Sequence, residues 1–404
     1  MSDGRAAHRE SRLLRAVQTT GEGQSATTFE LLFDLVYVFA ITRVTAYMAD
    51  AHSAPGVLRG LILLALLWTT WAGYAWLGNQ ARADVGLLRP GLSVAMVAIF
   101  IVDLTVLQAW HDAPGALNAP LVFVCAYLVV RFVHLGVYSV AAGKDAGLRR
   151  QIALTWIPVA ASVTLLLIGI GIGGWWQTLL FAGAVVVEWV VYLLTSRRGD
   201  WRVHSAAHWT ERHGLFVILT IGESILSIGF GAQGQPVAWP LLVVAVLGVA
   251  LAIGLWWLYF DLVSLAAARR LEQARGQART ILAVEAYNFA HFPIVAGVVL
   301  TALGIEGVAA HAGDGDPLGV FSASALFGGL ATYLAGQLLF VQRMHMALNV
   351  VRLVAVGVLL AGIALAALVP PLAALALLVL IVAALIVVDT ARHSDLRRQL
   401  RGSS

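Results

Sequence analysis

At residues 28–50 the chain has the sequence TFELLFDLVYVFAITRVTAYMAD, an apolar segment that carries Glu30, Asp34 and Arg43. About 20 apolar residues are enough for a helix to cross the hydrocarbon core of a bilayer. An ionisable side chain inside such a helix costs about 2.5–3.5 kcal/mol on insertion scales, so it usually has a partner or a function. The segment therefore predicts a membrane-spanning helix with a polar site.

The composition of the whole chain is that of a polytopic membrane protein. Of its 404 residues, 60% are hydrophobic and 12% are charged, and the mean hydropathy is +0.85. A soluble protein carries about 25% charged residues, so a water-soluble surface is excluded. The single cysteine, Cys125, excludes an intramolecular disulfide and a cysteine metal site. We expect no cofactor and no nucleic acid as a partner, because the arginines lie between apolar segments.

Apolar segments of membrane-spanning length predict an all-α protein with twelve transmembrane helices. The predicted spans are residues 29–50, 57–78, 90–110, 119–141, 152–172, 175–196, 210–231, 238–260, 279–303, 319–343, 350–369 and 372–390. Residues 1–28 form the predicted N-terminal segment, 29–197 and 198–391 two six-helix halves, and 392–404 a basic tail. The first 27 residues have no apolar core of signal-peptide length, so we expect no cleavable signal.

The distribution of basic residues predicts the orientation of these spans. If the N-terminus is cytoplasmic, 23 of the 26 basic residues fall on the cytoplasmic side, where the positive-inside rule places them. Of the other three, Arg59 lies near the outer side, and Arg43 and Arg131 lie inside spans. Both termini are therefore predicted to be cytoplasmic.

The two predicted halves have features of a duplication. A shift of 181 positions aligns Glu30 with Glu211, Trp76 with Trp257, and Arg43 with Ser224, the neighbour of Glu223. Each half has an even number of spans, so both copies would enter the membrane in the same orientation, as a parallel repeat.

The ionisable residues inside the spans are the candidate site residues. Glu30 and Asp34 are four residues apart on one face of the first helix, near its cytoplasmic end, where we expect the helix N-terminus and water to offset their charge. Arg43 lies roughly 20 Å along the same helix. It is either a structural ion pair, a residue that reaches the outer interface, or part of a substrate or ion path.

The seventh span places Glu223 on one face with Thr220, Ser224 and Ser227. This carboxylate is the best single candidate for binding a proton or cation; the alternative is a protonated carboxyl that packs between helices. The other candidates inside spans are Asp103, Arg131, Glu188, Glu285 and His291, with His134 and Asn288 beside two of them. Acids outnumber arginines here, so some acids are expected to be protonated or paired.

Several other patterns carry little weight. Residues 229–234 match G-x-G-x-x-G but follow a membrane helix and no strand, which argues against a dinucleotide site. His204 and His208 have metal-ligand spacing, but a juxtamembrane segment capped by Thr210 is favoured over a metal site. Walker A, H-E-x-x-H and G-x-S-x-G motifs do not occur, so no enzyme activity is predicted. The tryptophans near span ends are interpreted as interfacial, with the lining of a cavity as the alternative for some of them: Trp68, Trp71, Trp76, Trp175, Trp176, Trp256 and Trp257.

The segments FELLFDLVYVFAIT (29–42), ERHGLFVILTIGESILSIG (211–229) and WWLYFD (256–261) resemble the low temperature requirement A family of bacterial membrane proteins. The resemblance implies a plasma-membrane protein linked to growth in the cold and supplies no substrate. Residues 30–42 are also similar to the first helix of the lysosomal potassium/proton channel family, although Thr28 stands where that family has arginine.

These features favour a transporter of an unknown solute, coupled to protons or monovalent cations through Glu223, Arg43 and Asp34. Two alternatives stay open. An ion channel would give ohmic single-channel current. A membrane sensor or assembly factor would have no through-pathway, and its buried charges would all be paired. The solute, the coupling ion and the oligomeric state are not specified by the sequence.

Overall fold

The computed structural model describes residues 18–392 except 112–114, 116, 198, 200 and 314. Most of the predicted N-terminal segment and nearly all of the predicted tail therefore lie outside the described residues. Within the described part, regular secondary structure is helical, and the one β interaction is an isolated antiparallel bridge between Thr19 and Ala81.

The helices follow the predicted apolar segments closely. In chain order they are α1 (Thr28–Ala51), α2 (Ala54–Gln80), α3 (Leu88–Thr105), α4 (Ala119–Ala141), α5 (Ala146–Ile172), α6 (Gly174–Ser196), α7 (Ala206–Gly231), α8 (Trp239–Phe260), α9 (Val263–Gln273), α10 (Gly276–Leu282), α11 (His291–Ala310), α12 (Val320–Ala323), α13 (Gly329–Arg343), α14 (Val350–Ala366) and α15 (Pro371–Arg392). Two π-helical segments, Ala283–Ala290 and Ser324–Gly328, join α10 to α11 and α12 to α13.

In the described part of the chain, eleven helical stretches are long and apolar enough to cross a membrane. The last but one predicted span, 350–369, corresponds to α14, which is apolar but has 17 residues. At 1.5 Å per residue it is about 26 Å long, slightly shorter than a hydrocarbon core of about 30 Å. The multi-pass helical fold is confirmed, and a lipid bilayer is its environment.

Local sequence signals explain where several helices begin. Asn118, Asp145 and Asn349 precede α4, α5 and α14, and each side-chain oxygen accepts a hydrogen bond from a backbone N–H of the first helical turn. These residues are typical N-caps, because they satisfy donors that have no partner inside the helix.

The chain forms two compact units. The first contains the described residues up to Val44, together with Leu61–Arg212 and Ala274–Val284. In it α3 packs on α4, α4 on α5, and α5 on α6. Trp76 lies in its core, with ring centroids 4.5 Å from Trp209 and 5.5 Å from Trp201.

The second unit contains Thr45–Gly60, His213–Gln273 and the described residues from Glu285 onward. Its centre is the contact between α11 and α13, while α8 packs on α15 and α13 on α14. Gly297 and Gly304 face the backbone of the following helix so closely that a Cβ atom would lie 2.3 Å from Tyr333 N and 2.4 Å from Leu326 N. Small residues allow membrane helices to approach in this way.

Candidate functional site

The first turn of α1 holds Glu30 in a fixed position. Thr27 precedes the helix, and its backbone N–H donates to Glu30 Oε2 at 2.8 Å, while Glu30 N–H donates to Thr27 Oγ1 at 3.3 Å. This reciprocal pair is a capping box, which Thr27-Thr28-Phe29-Glu30 encodes locally. One carboxylate oxygen of Glu30 is therefore engaged by its own helix, and the other faces α7.

On α7, His208 contacts the Glu30 carboxylate. His208 Nε2 lies 3.0 Å from Glu30 Oε1 and 3.2 Å from Oε2. Both residues are 2% exposed. Ser205 sets the position of the histidine, because its hydroxyl accepts the hydrogen bond of His208 N–H at 3.1 Å and caps the helix. The predicted cap, Thr210, is wrong: α7 begins four residues earlier, and the Thr210 hydroxyl donates to Ala207 O inside it.

Asn79 of α2 determines which ring nitrogen of His208 carries a proton. Its amide nitrogen donates to Ser205 O at 2.7 Å, and its oxygen accepts from His204 N–H at 2.7 Å, so its orientation is fixed. The same amide nitrogen lies 3.3 Å from His208 Nδ1. Because an amide NH₂ only donates, Nδ1 accepts, and the proton of a neutral His208 is on Nε2, facing Glu30.

One turn further along each helix, Asp34 of α1 pairs with Arg212 of α7. Arg212 approaches both carboxylate oxygens of Asp34 at 2.9 Å, which is a bidentate contact. Trp71 Nε1 donates to Asp34 Oδ1 at 2.8 Å, and the guanidinium lies 5.8 Å from the Trp71 ring centroid. Arg212 Nε is also 3.8 Å from Glu30 Oε1, so Arg212 connects the two acids.

Glu30, Asp34, His208 and Arg212, here called the ion-pair cluster, contain two buried carboxylates and one guanidinium. When His208 is in its neutral form, the carboxylates outnumber the positive charges. A buried net charge is costly unless a counter-ion or a proton balances it. The ion-pair cluster can therefore bind one proton or one monovalent cation.

The burial of Glu30 and Asp34 differs from the sequence-based expectation. Water was expected to offset their charge, but Asp34 is fully buried and Glu30 nearly so. Arg212 offsets part of it instead, and His208 forms a hydrogen bond with Glu30. Arg212 is 1% exposed, although it was counted among the cytoplasmic loop residues. The signal that could have found it is spacing, because His208 and Arg212 are four apart and so share a face of α7 once that helix begins at Ala206.

One further ion pair and one electrostatic interaction join other predicted residues of the first unit. Arg131 of α4 donates to Glu188 of α6 at 2.5 Å, and the Tyr127 hydroxyl approaches the same carboxylate at 3.4 Å. Asp103 of α3 is fully buried and lies within electrostatic reach of Arg43, which is half-buried. The structure thus gives both arginines inside the predicted spans an acidic neighbour from the candidate residues.

In the second unit, the Glu223 face of α7 is buried as a set. Glu223, Thr220, Ser224 and Ser227 are each at most 1% exposed, and the Thr220 hydroxyl donates to Phe216 O at 2.8 Å. The charges of Glu223 and Glu306 interact electrostatically. The side chains that the spacing places on one face are therefore buried together.

The remaining predicted residues of the second unit have separate partners. His291 Nε2 lies 2.6 Å from the Tyr259 hydroxyl, and Glu285 pairs with Arg343 at 3.2 Å. Across the described ranges, no group of three or more His, Cys, Asp and Glu side chains is arranged to hold a metal ion.

The tryptophans divide into two groups, which corrects their assignment to the membrane interface. Trp68, Trp71 and Trp76 are at most 3% exposed and belong to the core of the first unit. The second group is exposed, as interfacial residues would be: Trp175 (49%), Trp176 (64%), Trp256 (43%) and Trp257 (40%).

The chain matches the family of bacterial low temperature requirement A proteins (LtrA) over residues 25–387. It belongs to this family. An uncharacterized protein of Rhizobium meliloti (strain 1021) is 26% identical over 329 residues, which is 76% of this chain and 75% of that protein. No solved structure matches. All residues of the ion-pair cluster in this LtrA-family protein lie within the matched range.

Proposed function

We propose that this LtrA-family protein is a transporter of the bacterial plasma membrane that couples an unidentified solute to protons or monovalent cations. The observation that carries the proposal is that the ion-pair cluster buries two carboxylates against one guanidinium and one titratable histidine, in helices of membrane-spanning length. Ionisable residues at such positions commonly mark substrate or ion pathways.

Proton binding at Glu30 and His208 would be coupled to a movement of helices. When the pair takes up a proton, His208 carries hydrogen on both ring nitrogens. Nδ1 is then a donor that faces the NH₂ group of Asn79, which is also a donor. Asn79 cannot turn its oxygen toward the ring without losing its bond to His204 N–H. Protonation therefore favours separation of His208 from Asn79, and a coupled transporter needs such a link between ion binding and shape.

The predicted topology supports the same function. The positive-inside distribution places the start of α1, and with it the ion-pair cluster, near the cytoplasm. Two parallel six-helix halves are a known plan for transporters, with Glu223 of the second half as a further coupling candidate. The family name connects such a protein with growth at low temperature, and we propose this as its physiological setting.

The proposal is tested with the full-length protein in proteoliposomes. A panel of solutes and of sodium, potassium and rubidium ions is screened for uptake with and without a pH gradient. We expect saturable, gradient-dependent uptake that is lost in His208→Gln and in Glu223→Gln. Asp84→Asn is the matched control, because Asp84 pairs with Arg82 outside the ion-pair cluster.

The other outcomes identify the alternatives. Ohmic single-channel current without saturation would indicate an ion channel. Absence of flux for every solute and ion, in protein that is folded, would contradict both and favour a sensor or assembly factor. Uptake in Glu223→Gln equal to the wild type would remove Glu223 from the coupling site.

A further inference from the structure

Asp103 of α3 differs from the other buried acids of the first unit. Its side chain is fully buried, and neither carboxylate oxygen has a hydrogen-bond partner among the described residues. Glu30, Asp34 and Glu188, by contrast, each contact a guanidinium or an imidazole at 3.0 Å or less. A buried carboxylate without a hydrogen bond is among the most costly groups that a fold can contain.

Among the described residues, Arg43 of α1 is the cation whose charge acts on this carboxylate. It acts on Asp103 electrostatically, yet it forms no hydrogen bond with either oxygen, and its own Nε also has no partner in the described part of the chain. Arg43 and Asp103 are each 15 residues from the start of their helices. If α1 and α3 both run outward from the cytoplasm, both lie about 22 Å along them, at matching depth.

Tyr37 stands between Asp103 and the ion-pair cluster. Its hydroxyl is 2.9 Å from Thr70 Oγ1 and interacts electrostatically with Asp34 and with Asp103. Tyr74 of α2 and Arg131 of α4 act on the same hydroxyl. Among the described residues, the charged and titratable groups that interact electrostatically with Asp103 are therefore Arg43 and Tyr37 on α1. Tyr74 and Arg131 interact with Tyr37.

We propose that Asp103 is a second proton-binding site, at which a proton and Arg43 compete for the same carboxylate. When a proton binds, one O–H bond forms on Asp103, and Arg43 is released from electrostatic pairing. When the proton leaves toward water or toward the ion-pair cluster, Arg43 closes on the carboxylate. No other bond changes. The inference deepens the proposed function, because it gives the proton a second position in the first unit.

The direct test is infrared spectroscopy of the full-length protein in lipid nanodiscs, with aspartate isotope-labelled in its side-chain carboxyl group. We expect a carbonyl band of a protonated buried acid that decreases as pH rises and is absent in Asp103→Asn. In Arg43→Gln the same band should persist to higher pH, because the cation that stabilises the carboxylate is gone. Asp84→Asn should leave the band unchanged.

A second measurement keeps the test informative if a variant folds poorly. Dicyclohexylcarbodiimide adds to buried protonated carboxyl groups, and mass spectrometry locates the adduct in wild-type protein. We expect labelling of Asp103 at low pH and protection at high pH. An unlabelled Asp103 at every pH, together with an infrared band that Asp103→Asn leaves intact, would overturn the inference.

These results are independent of solute uptake. If Asp103 titrates as expected and no flux is found for any solute or ion, the inference stands and the proposed transport function fails. If uptake is coupled to the pH gradient and Asp103 carries no proton, the proposed function stands and the second site fails.

Discussion

Arg212 is the residue on which the ion-pair cluster depends, because it is the only guanidinium that the described residues place against both Glu30 and Asp34. Removal of one partner from a buried ion pair leaves an uncompensated charge, which costs about 3–5 kcal/mol. We therefore predict that Arg212→Gln lowers the free energy of unfolding by about this amount. The measurement is reversible unfolding in detergent, followed by tryptophan fluorescence.

Two variants make this prediction specific. Arg82→Gln removes an arginine from a partly exposed pair with Asp84 and should have a much smaller effect. The double variant Asp34→Asn/Arg212→Gln should recover part of the lost stability, because it removes both charges. Equal stability of Arg212→Gln and Arg82→Gln would contradict the assignment of Arg212 to a buried pair.

At the residue scale the sequence predicted the acids but not their partners. Glu30 and Asp34 stand out because they interrupt an apolar segment. Arg212 does not, because it lies near the start of α7, where a positive charge has a low cost in the positive-inside pattern. Its contact with Asp34 spans 178 positions of sequence. Such long-range pairs depend on helix packing, which periodicity does not specify.

At the scale of elements, the contact between α11 and α13 depends on glycine. A Cβ on Gly297 would meet the backbone of Tyr333, which cannot move as a side chain can. Overpacking of this kind costs about 1–3 kcal/mol, so Gly297→Ala should destabilise the protein by that amount. Thermal unfolding measures it, with Gly357→Ala on α14 as control, because a Cβ at Gly357 meets nothing within 4 Å. Similar unfolding temperatures for the two variants would contradict the close approach.

Helix boundaries were predicted well where hydropathy changes sharply and less well elsewhere. Hydropathy placed the start of the tenth span at residue 319, and the helical stretch that begins with α12 starts at Val320. It placed the start of the seventh span at 210 because residues 206–209 include a histidine and contribute little hydrophobicity. The π-helical segments were not predicted, since they arise from tertiary packing rather than from a local pattern.

At the scale of the whole molecule, the orientation of the chain is a prediction that labelling can test. In a Cys125→Ala background, Lys144→Cys and Ala238→Cys place single cysteines at exposed positions between helices. The positive-inside rule puts residue 144 in the cytoplasm and residue 238 outside. A membrane-impermeant maleimide should label Ala238→Cys in intact spheroplasts, and Lys144→Cys only after permeabilisation. The opposite pattern would invert the topology.

The all-α multi-pass fold follows from composition alone, whereas the duplication does not, because aligned residues are few in a chain rich in Leu, Val and Ala. The ion-pair cluster draws its residues from α1 and α7, which the duplication would make equivalent first helices of the two halves. The equivalence stays a prediction. The ion-pair cluster has two carboxylates and one guanidinium whether or not the halves are copies.

The protonation state of His208 tests the central claim most directly. Solid-state NMR of the full-length protein in lipid, with isotope-labelled histidine and with His208→Gln to assign the signal, reports which ring nitrogens carry protons. We predict a neutral ring protonated on Nε2 at alkaline pH and a doubly protonated ring, separated from Asn79, when the cluster takes up its proton. A His208 that stays neutral with the same tautomer at every pH at which the protein is folded would contradict proton binding by the ion-pair cluster.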